Sequence, residues 1–477
     1  MNGKDILSLL MGVKRRPIYR RTSVCFLLAA SPVVLAAELS LPQAQLLALR
    51  SDLSIEQVLY EAEGLRAEAQ AKGQLPDPVV VLGLQNLPTD TFAFDQEPMT
   101  QWRIGVRQMF PQGDTLALQQ NKTGLMAHVQ DDAADLRALM IGRKVRQRWL
   151  EIQYLQLSQT ILEEDESLFQ QLLHVTHSLY SVGKVKQQDV LRAELELSRL
   201  QEKQIKARRL EQTQRAQLQR WVGHAAEQSD WPELLPVITL PVELAAYPEV
   251  PEADEAAFSE AVLPSLLNHP MLRAVQTQIT MAETDVALAE QQYKPSWGVE
   301  LAYSYRQGDN PDGSPRSDFL SGAVTVSMPL FSRLRQDKGV QGANYRKASK
   351  RYALQDQTRE MLAEVKTGVR RLRQIDEQLG LFDQEILAKA RFQAEAALNA
   401  YQADAADFTE VMRAWLGEQK DRLDYLRLQV DRLQAISELR FYLPEAAPDL
   451  QDQRRLAAQA YMNESTLTTM DAGEVTP

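Results

Sequence analysis

His174 and His177 stand three residues apart, a spacing that sets two imidazoles on one face of a helix and that a transition metal could bridge. No cysteine or Glu-x-x-His partner accompanies them, and the chain has five histidines in all, so no metal centre is expected. Met99, Met109 and Met126 are too scattered to form a thioether track. Covalent and phosphoryl chemistry lack their motifs: the sequence has no Gly-x-Ser-x-Gly, no phosphate-cradling glycine loop and no His-Glu-x-x-His. Carboxylates are abundant, but paired glutamates on a helix ordinarily form a solvated face. The single cysteine, Cys25, supports neither a disulfide framework nor a thiolate metal site. These residues predict no enzyme and no cofactor. With 53 basic against 64 acidic residues and a net charge of −11, a general nucleic-acid binder is excluded as well.

What remains is architecture. Residues 1–37 read as a secretory signal peptide: Lys14, Arg15, Arg16, Arg20 and Arg21 make a basic start, Val24–Val34 an apolar run, and Leu35-Ala36-Ala37 a small-residue cleavage site. Met11 is an alternative start. The apolar run is too short for the roughly 20 residues of a spanning helix, and no later segment is long and apolar enough to be one, so a helical integral membrane protein is excluded. Proline placement then divides the chain. No proline lies between Pro111 and Pro232, or between Pro329 and Pro444, while Pro232, Pro236, Pro241, Pro248, Pro251 and Pro264 crowd the segment between. Because proline inside a helix costs about 3 kcal/mol, the two proline-free stretches predict very long helices. Narrow apolar seams support this: Leu168, Leu172, Val175 and Leu179; Val190, Ala193, Leu197 and Leu200; Leu416, Leu423, Leu426, Val430 and Leu433. Such seams on otherwise polar helices mark coiled-coil packing.

Each long-helix region follows a pair of alternating strands. In the first pair, Trp102, Ile104 and Val106 oppose Arg103, Gly105 and Arg107. In the second, Trp297, Val299, Leu301, Tyr303 and Tyr305 oppose Gly298, Glu300, Ala302 and Ser304, and Leu320, Val324, Val326 and Met328 oppose Ser321, Ala323, Thr325 and Ser327. Period-two alternation with aromatic residues on the apolar face is the pattern of a transmembrane barrel strand. The halves also repeat: Tyr180-Ser181-Val182-Gly183-Lys184 through Asp189-Val190-Leu191-Arg192-Ala193 aligns without gaps on Tyr401-Gln402-Ala403-Asp404-Ala405 through Glu410-Val411-Met412-Arg413-Ala414. The predicted organisation is a signal peptide (1–37), a first repeat (38–222, strand pair 78–110), a proline-rich linker (223–264), a second repeat (265–443, strand pair 295–331) and a tail (444–477). Four strands cannot close a barrel, and an open edge in lipid is prohibitive. Three copies supply twelve strands and gather the long helices into a hollow cylinder.

The tandem Tyr-x-x-Gly-x-x-x-x-x-Asp-Val-Leu-x-Ala pattern, set after a strand hairpin and a long helix, resembles the TolC-type outer-membrane efflux channels over roughly Leu46 to Leu443. The segments Gly83-Leu84-Gln85-Asn86-Leu87-Pro88 and Asp95-Gln96-Glu97-Pro98-Met99-Thr100-Gln101 resemble the subgroup serving heavy-metal efflux pumps of the RND class. The resemblance implies a mostly α fold with a small β part: duplicated helical hairpins forming an α-barrel, and four strands per chain in the twelve-stranded β-barrel of a homotrimer. It implies an outer membrane location with a periplasmic extension, contact with outer-membrane lipid, and partnership with a periplasmic membrane-fusion adaptor and an inner-membrane RND pump. The function implied is passive efflux of metal cations; alternatives are a drug or type I secretion exit duct of the same fold, a periplasmic adaptor, or a coiled-coil structural protein. Carried over by position, Val182, Gly183, Lys184, Ala403, Asp404 and Ala405 are adaptor contacts. Tyr401, Asp404, Asp407, Glu410 and Arg413 belong to the closed aperture. Arg413 replaces an acidic residue of the family and Ala406 a basic one, so the lock on the closed state must differ here.

Overall fold

The structure, a computed structural model, describes residues 38–245, 255–403 and 405–444; the predicted leader, most of the tail, part of the linker and Asp404 lie outside the described residues. In the first repeat, α1 (Leu41–Ser51) and α2 (Leu53–Lys72) lead into β1 (Val79–Gln85), β2 (Gln101–Phe110), α3 (Thr115–Ser181) and the returning α4 (Gln187–Val222). The short helical turns α5 (Ala225–Gln228) and α6 (Val242–Ala245) follow. The second repeat comprises α7 (Glu255–Leu267), α8 (Pro270–Gln291), β3 (Ser296–Tyr305), β4 (Phe319–Ser327), α9 (Gln336–Leu381), a π-helical turn at Phe382–Ile386, α10 (Leu387–Gln402) and α11 (Phe408–Tyr442). Helix α7 starts ahead of the predicted linker boundary and runs through Pro264. Proline there forgoes an amide bond to the turn before it, while its own carbonyl still accepts from the Asn268 amide at 3.3 Å.

Helix α3 spans 67 residues, about 100 Å at 1.5 Å per residue. Isolated propensity does not hold such a rod; packing does. Its buried line through the outer half is Leu155, Ser158, Leu162, Asp165, Phe169 and Thr176, a heptad spacing with three polar members. Of the sequence pattern, Leu172 and Leu179 pack against this line, while Leu168 and Val175 lie one position off it and remain exposed. The seams on α4 and α11 fall where expected, with Val190, Ala193, Leu200, Leu426, Val430 and Leu433 buried. The matching rod of the second repeat is interrupted by the π turn, where Phe382 stacks on Tyr425 and the Tyr425 hydroxyl donates to Asp383 at 2.6 Å.

The principal core sits around the middle of α3. Trp149 and Trp231 stack there with centroids 6.1 Å apart, and Trp149 Nε1 donates to the Leu39 carbonyl at 2.8 Å. Gln153 Nε2 donates to the carbonyls of Pro232 and Leu234, which pins the proline-rich segment against the helix. His269 caps α8 in the same region: its Nδ1 accepts from the Met271 amide at 3.2 Å, and Nε2 lies 3.1 Å from the Phe441 carbonyl. That pairing requires a neutral ring with the proton on Nε2, and burial pushes the pKa down to about 4. The unfolded chain, with an ordinary histidine pKa of about 6.5, binds the proton first. Stability from this residue is therefore full above about pH 6.5 and is lost as pH falls towards 4. His269→Gln should flatten that acid limb in a plot of melting temperature against pH, and a limb unchanged from wild type would assign it to other groups.

The strands join the repeats into one antiparallel sheet of order β1-β2-β3-β4. Its central pair runs in register from Trp102 opposite Tyr305 to Phe110 opposite Trp297. The outer edges of β1 and β4 have no strand partner among the described residues. Gly113, at φ 44°, makes the turn from β2 into α3 in a left-handed conformation that favours glycine; a Cβ there would meet only the movable ends of the Lys294 and Gln291 side chains.

Candidate functional site

Two regions bring functional side chains together, the sheet and the hairpin tips. On the sheet, the register aligns Val80, Leu82 and Leu84 of β1 with Val106, Ile104 and Trp102 of β2, and these with Leu301, Tyr303 and Tyr305 of β3. Leu320, Val324 and Val326 continue the face on β4. All of these side chains are exposed; Leu301, at the centre, is 57% exposed. The opposite face holds the buried residues Ala302, Ser304 and Glu300. A soluble protein would bury the apolar face and show the polar one to water; this sheet does the reverse, over an area far larger than isolated exposed residues explain. No described helix is long and apolar enough to cross a membrane, so this apolar band is the element suited to lipid.

The polar face carries one ionic cluster. Glu300 Oε2 accepts from Arg107 Nε at 2.7 Å, and Glu300 Oε1 from Arg103 Nη2. At the mouth end, the loops after β1 and β3 are tied together. Arg316 Nη1 donates to the carbonyls of Asp95 at 3.0 Å and Glu97 at 3.2 Å, and Arg306 Nη1 to that of Pro98 at 3.1 Å.

The tips lie at the far ends of α3–α4 and α10–α11. The first is closed by a Schellman pair: the Gly183 amide donates to Tyr180 O and the Lys184 amide to Leu179 O, both at 2.9 Å, with Gly183 at φ 77°. The second repeats the longer bond, Ala405 amide to Ala400 O at 2.8 Å; its glycine-equivalent position, Asp404, lies outside the described residues. Val182, Gly183, Lys184, Ala403 and Ala405 are all exposed. Asp407, Glu410 and Arg413 are exposed as well, with Asp407 at the N-cap of α11 but making no side-chain cap bond. Tyr401 is separated from them: it is buried, edge-on to Phe408 at 5.8 Å, in a cluster with Leu162, Phe169 and Val411. Arg192 Nη1 donates to Thr409 Oγ1 at 2.5 Å and ties α4 to the first turn of α11. His177 meets Glu194 at 3.4 Å, and His174 is exposed.

A polar knot behind the tips is not visible as a motif. Asp165, buried in the α3 seam, accepts from Gln419 Nε2 at 2.8 Å and Arg422 Nη1 at 3.3 Å, and Gln419 accepts from Lys203 Nζ at 2.8 Å. Burial raises the Asp165 pKa, against the opposing pull of Gln419 and Arg422. The knot joins α3, α4 and α11, and its one legible signal was an aspartate in seam phase, between Leu162 and Phe169.

Residues 264–444 match the family model described as outer membrane efflux protein. No curated protein matches the sequence. Among solved structures, the chain is similar to CusC, described with the conformational changes accompanying its folding and transmembrane channel formation (16% identity, TM-score 0.68, covering 84% of this chain and 91% of that one). It is similar to the outer membrane protein VceC of Vibrio cholerae (14%, TM-score 0.67, 84% and 95%) and to the CmeC outer membrane channel of Campylobacter jejuni (12%, TM-score 0.68, 87% and 89%). At such identities the likeness is one of fold, and it extends over both repeats.

Proposed function

We propose that this chain, whose residues 264–444 match the outer membrane efflux protein model, belongs to that family and is the exit duct of a tripartite efflux system. Outer-membrane residence with a periplasmic extension is the family's arrangement, and its members are passive channels rather than enzymes. The observation that carries the reading is the inverted sheet, apolar outward and polar inward, with two edges unpaired among the described residues. In lipid those edges must be satisfied, and β1 of one copy against β4 of the next does so; three copies give twelve strands and a closed wall. Further faces await partners on the helices. Leu191, Leu195 and Ile205 on α4, and Tyr345 and Tyr352 on α9, are exposed, which suits helix packing between copies. The exposed tips are the surface offered to a periplasmic adaptor, behind which an inner-membrane RND pump supplies the cargo. The segments Gly83–Pro88 and Asp95–Gln101 favour metal cations as that cargo.

The test is biochemical. The processed chain should leave the outer membrane only with detergent and run as a heat-resistant trimer, intact until boiled. Since the sole cysteine lies in the predicted leader, Leu82→Cys combined with Val324→Cys gives a clean reporter of β1–β4 pairing. A short bismaleimide should yield a ladder up to trimer. A water-soluble monomer with no ladder would overturn the reading. Deletion of the gene should sensitise cells to metal cations; sensitisation to drugs alone would reassign the cargo.

A further inference from the structure

We infer that the inner wall of the sheet is an anion-selective filter, set by Arg103, Arg107 and Glu300. This rests on the exit-duct reading, which turns the polar face towards a lumen. Two guanidiniums share one carboxylate: Glu300, 7% exposed, gives one oxygen to each arginine. The two positive charges are only half compensated. The Nε of Arg103 is buried with no hydrogen-bond partner among the described residues, and Arg107 keeps 46% of its side chain exposed. The remaining residues on this face of the strands are uncharged, including Gln85, Gln101, Gly105, Ala302, Ser321 and Thr325, so nothing at this level cancels the surplus.

Threefold repetition makes the cluster a belt of six arginines and three glutamates. Twelve strands about 4.8 Å apart and tilted about 40° enclose a wall roughly 24 Å across, and side chains narrow the opening to roughly half of that. The Debye length at physiological ionic strength, about 8 Å, exceeds the radius of such an opening. Low-dielectric walls concentrate the field further. A solute crossing the belt cannot avoid a positive potential that draws in phosphate- and carboxylate-bearing molecules and repels free divalent cations. Metal leaving by this route would cross the belt as an anionic complex.

The test uses the full chain, extracted in detergent and inserted into planar bilayers, with tripolyphosphate added on the side of the strand loops. Wild type should be blocked. Glu300→Gln, which removes the counter-charge, should strengthen block about fivefold, and Arg103→Gln with Arg107→Gln should weaken it about tenfold. Block by a trivalent cation from the tip side should be unchanged in both. Trimers that resist detergent before heating certify assembly, and if the double variant fails to form them, Glu300→Gln decides with its opposite sign. Normal conductance with unaltered polyphosphate block overturns the filter alone. A wild-type chain that gives no conductance overturns the exit-duct reading and the filter with it.

Discussion

Val299→Arg should abolish the detergent-resistant trimer, whereas Thr325→Arg should leave it intact. Val299 sits in β3 opposite Gln108 on one side and Val324 on the other, with its side chain exposed on the apolar face. A guanidinium at that depth in a bilayer costs about 2–4 kcal/mol, and the proposed trimer would incur it three times over. Thr325 faces the other way, in register with Gly298, and is exposed on the polar face, where an arginine meets water. Alternation alone would make Ser304 the natural inward control, but Ser304 is buried opposite Arg103, and an arginine there adds a like charge with no room. The measurement is the trimer fraction in purified outer membranes before and after heating. Equal loss in both variants would mean that the sheet faces have been assigned the wrong way round.

Much of this was legible in the residues, for definite reasons. The strands alternate so regularly that a one-residue slip would turn Trp297, Val299 and Leu301 into the polar face, and the observed register keeps them together. The long helices followed from the absence of proline, since the weaker breakers Gly124 and Gly142 do not interrupt Thr115–Ser181. The duplication was legible to the level of single hydrogen bonds: Lys184 to Leu179 and Ala405 to Ala400 occupy aligned positions. What stayed hidden depends on contacts across the chain. Asp165 is buried because Gln419 and Arg422, far along the sequence, reach it, and counting apolar residues passes over a polar seam position. The Arg103–Glu300–Arg107 cluster needs the β2–β3 pairing, which links the two repeats and is invisible within either. The π turn at Phe382–Ile386 has no composition signal, and at Pro264 proline alone misplaced a helix start.

Asp407→Ala combined with Glu410→Ala should shift the reversal potential towards anions and weaken block by trivalent cations from the tip side about tenfold. Both carboxylates are exposed on the first turn of α11, where the positive end of the helix dipole makes an acidic residue inexpensive. Asp407 holds the N-cap position without spending its carboxylate on the cap, which leaves that charge free to act outward. In the proposed trimer, threefold symmetry would turn the pair into six carboxylates around one axis. Like charges so confined repel one another and focus a negative potential, of opposite sign to the belt in the sheet. Arg413, exposed one turn along, is available to a neighbouring copy's Glu410 as the closed-state counter-charge. Tyr401 should behave differently. Its ring is packed against Phe408 within the tip cluster, so Tyr401→Phe keeps the packing, removes only the hydroxyl, and should raise the open fraction without changing selectivity. Single-channel recordings separate the two effects, because selectivity is read from the reversal potential and opening from dwell times. If the double variant retains wild-type selectivity and block, Asp407 and Glu410 do not line the pore. The charge at the tip then serves only the start of the helix.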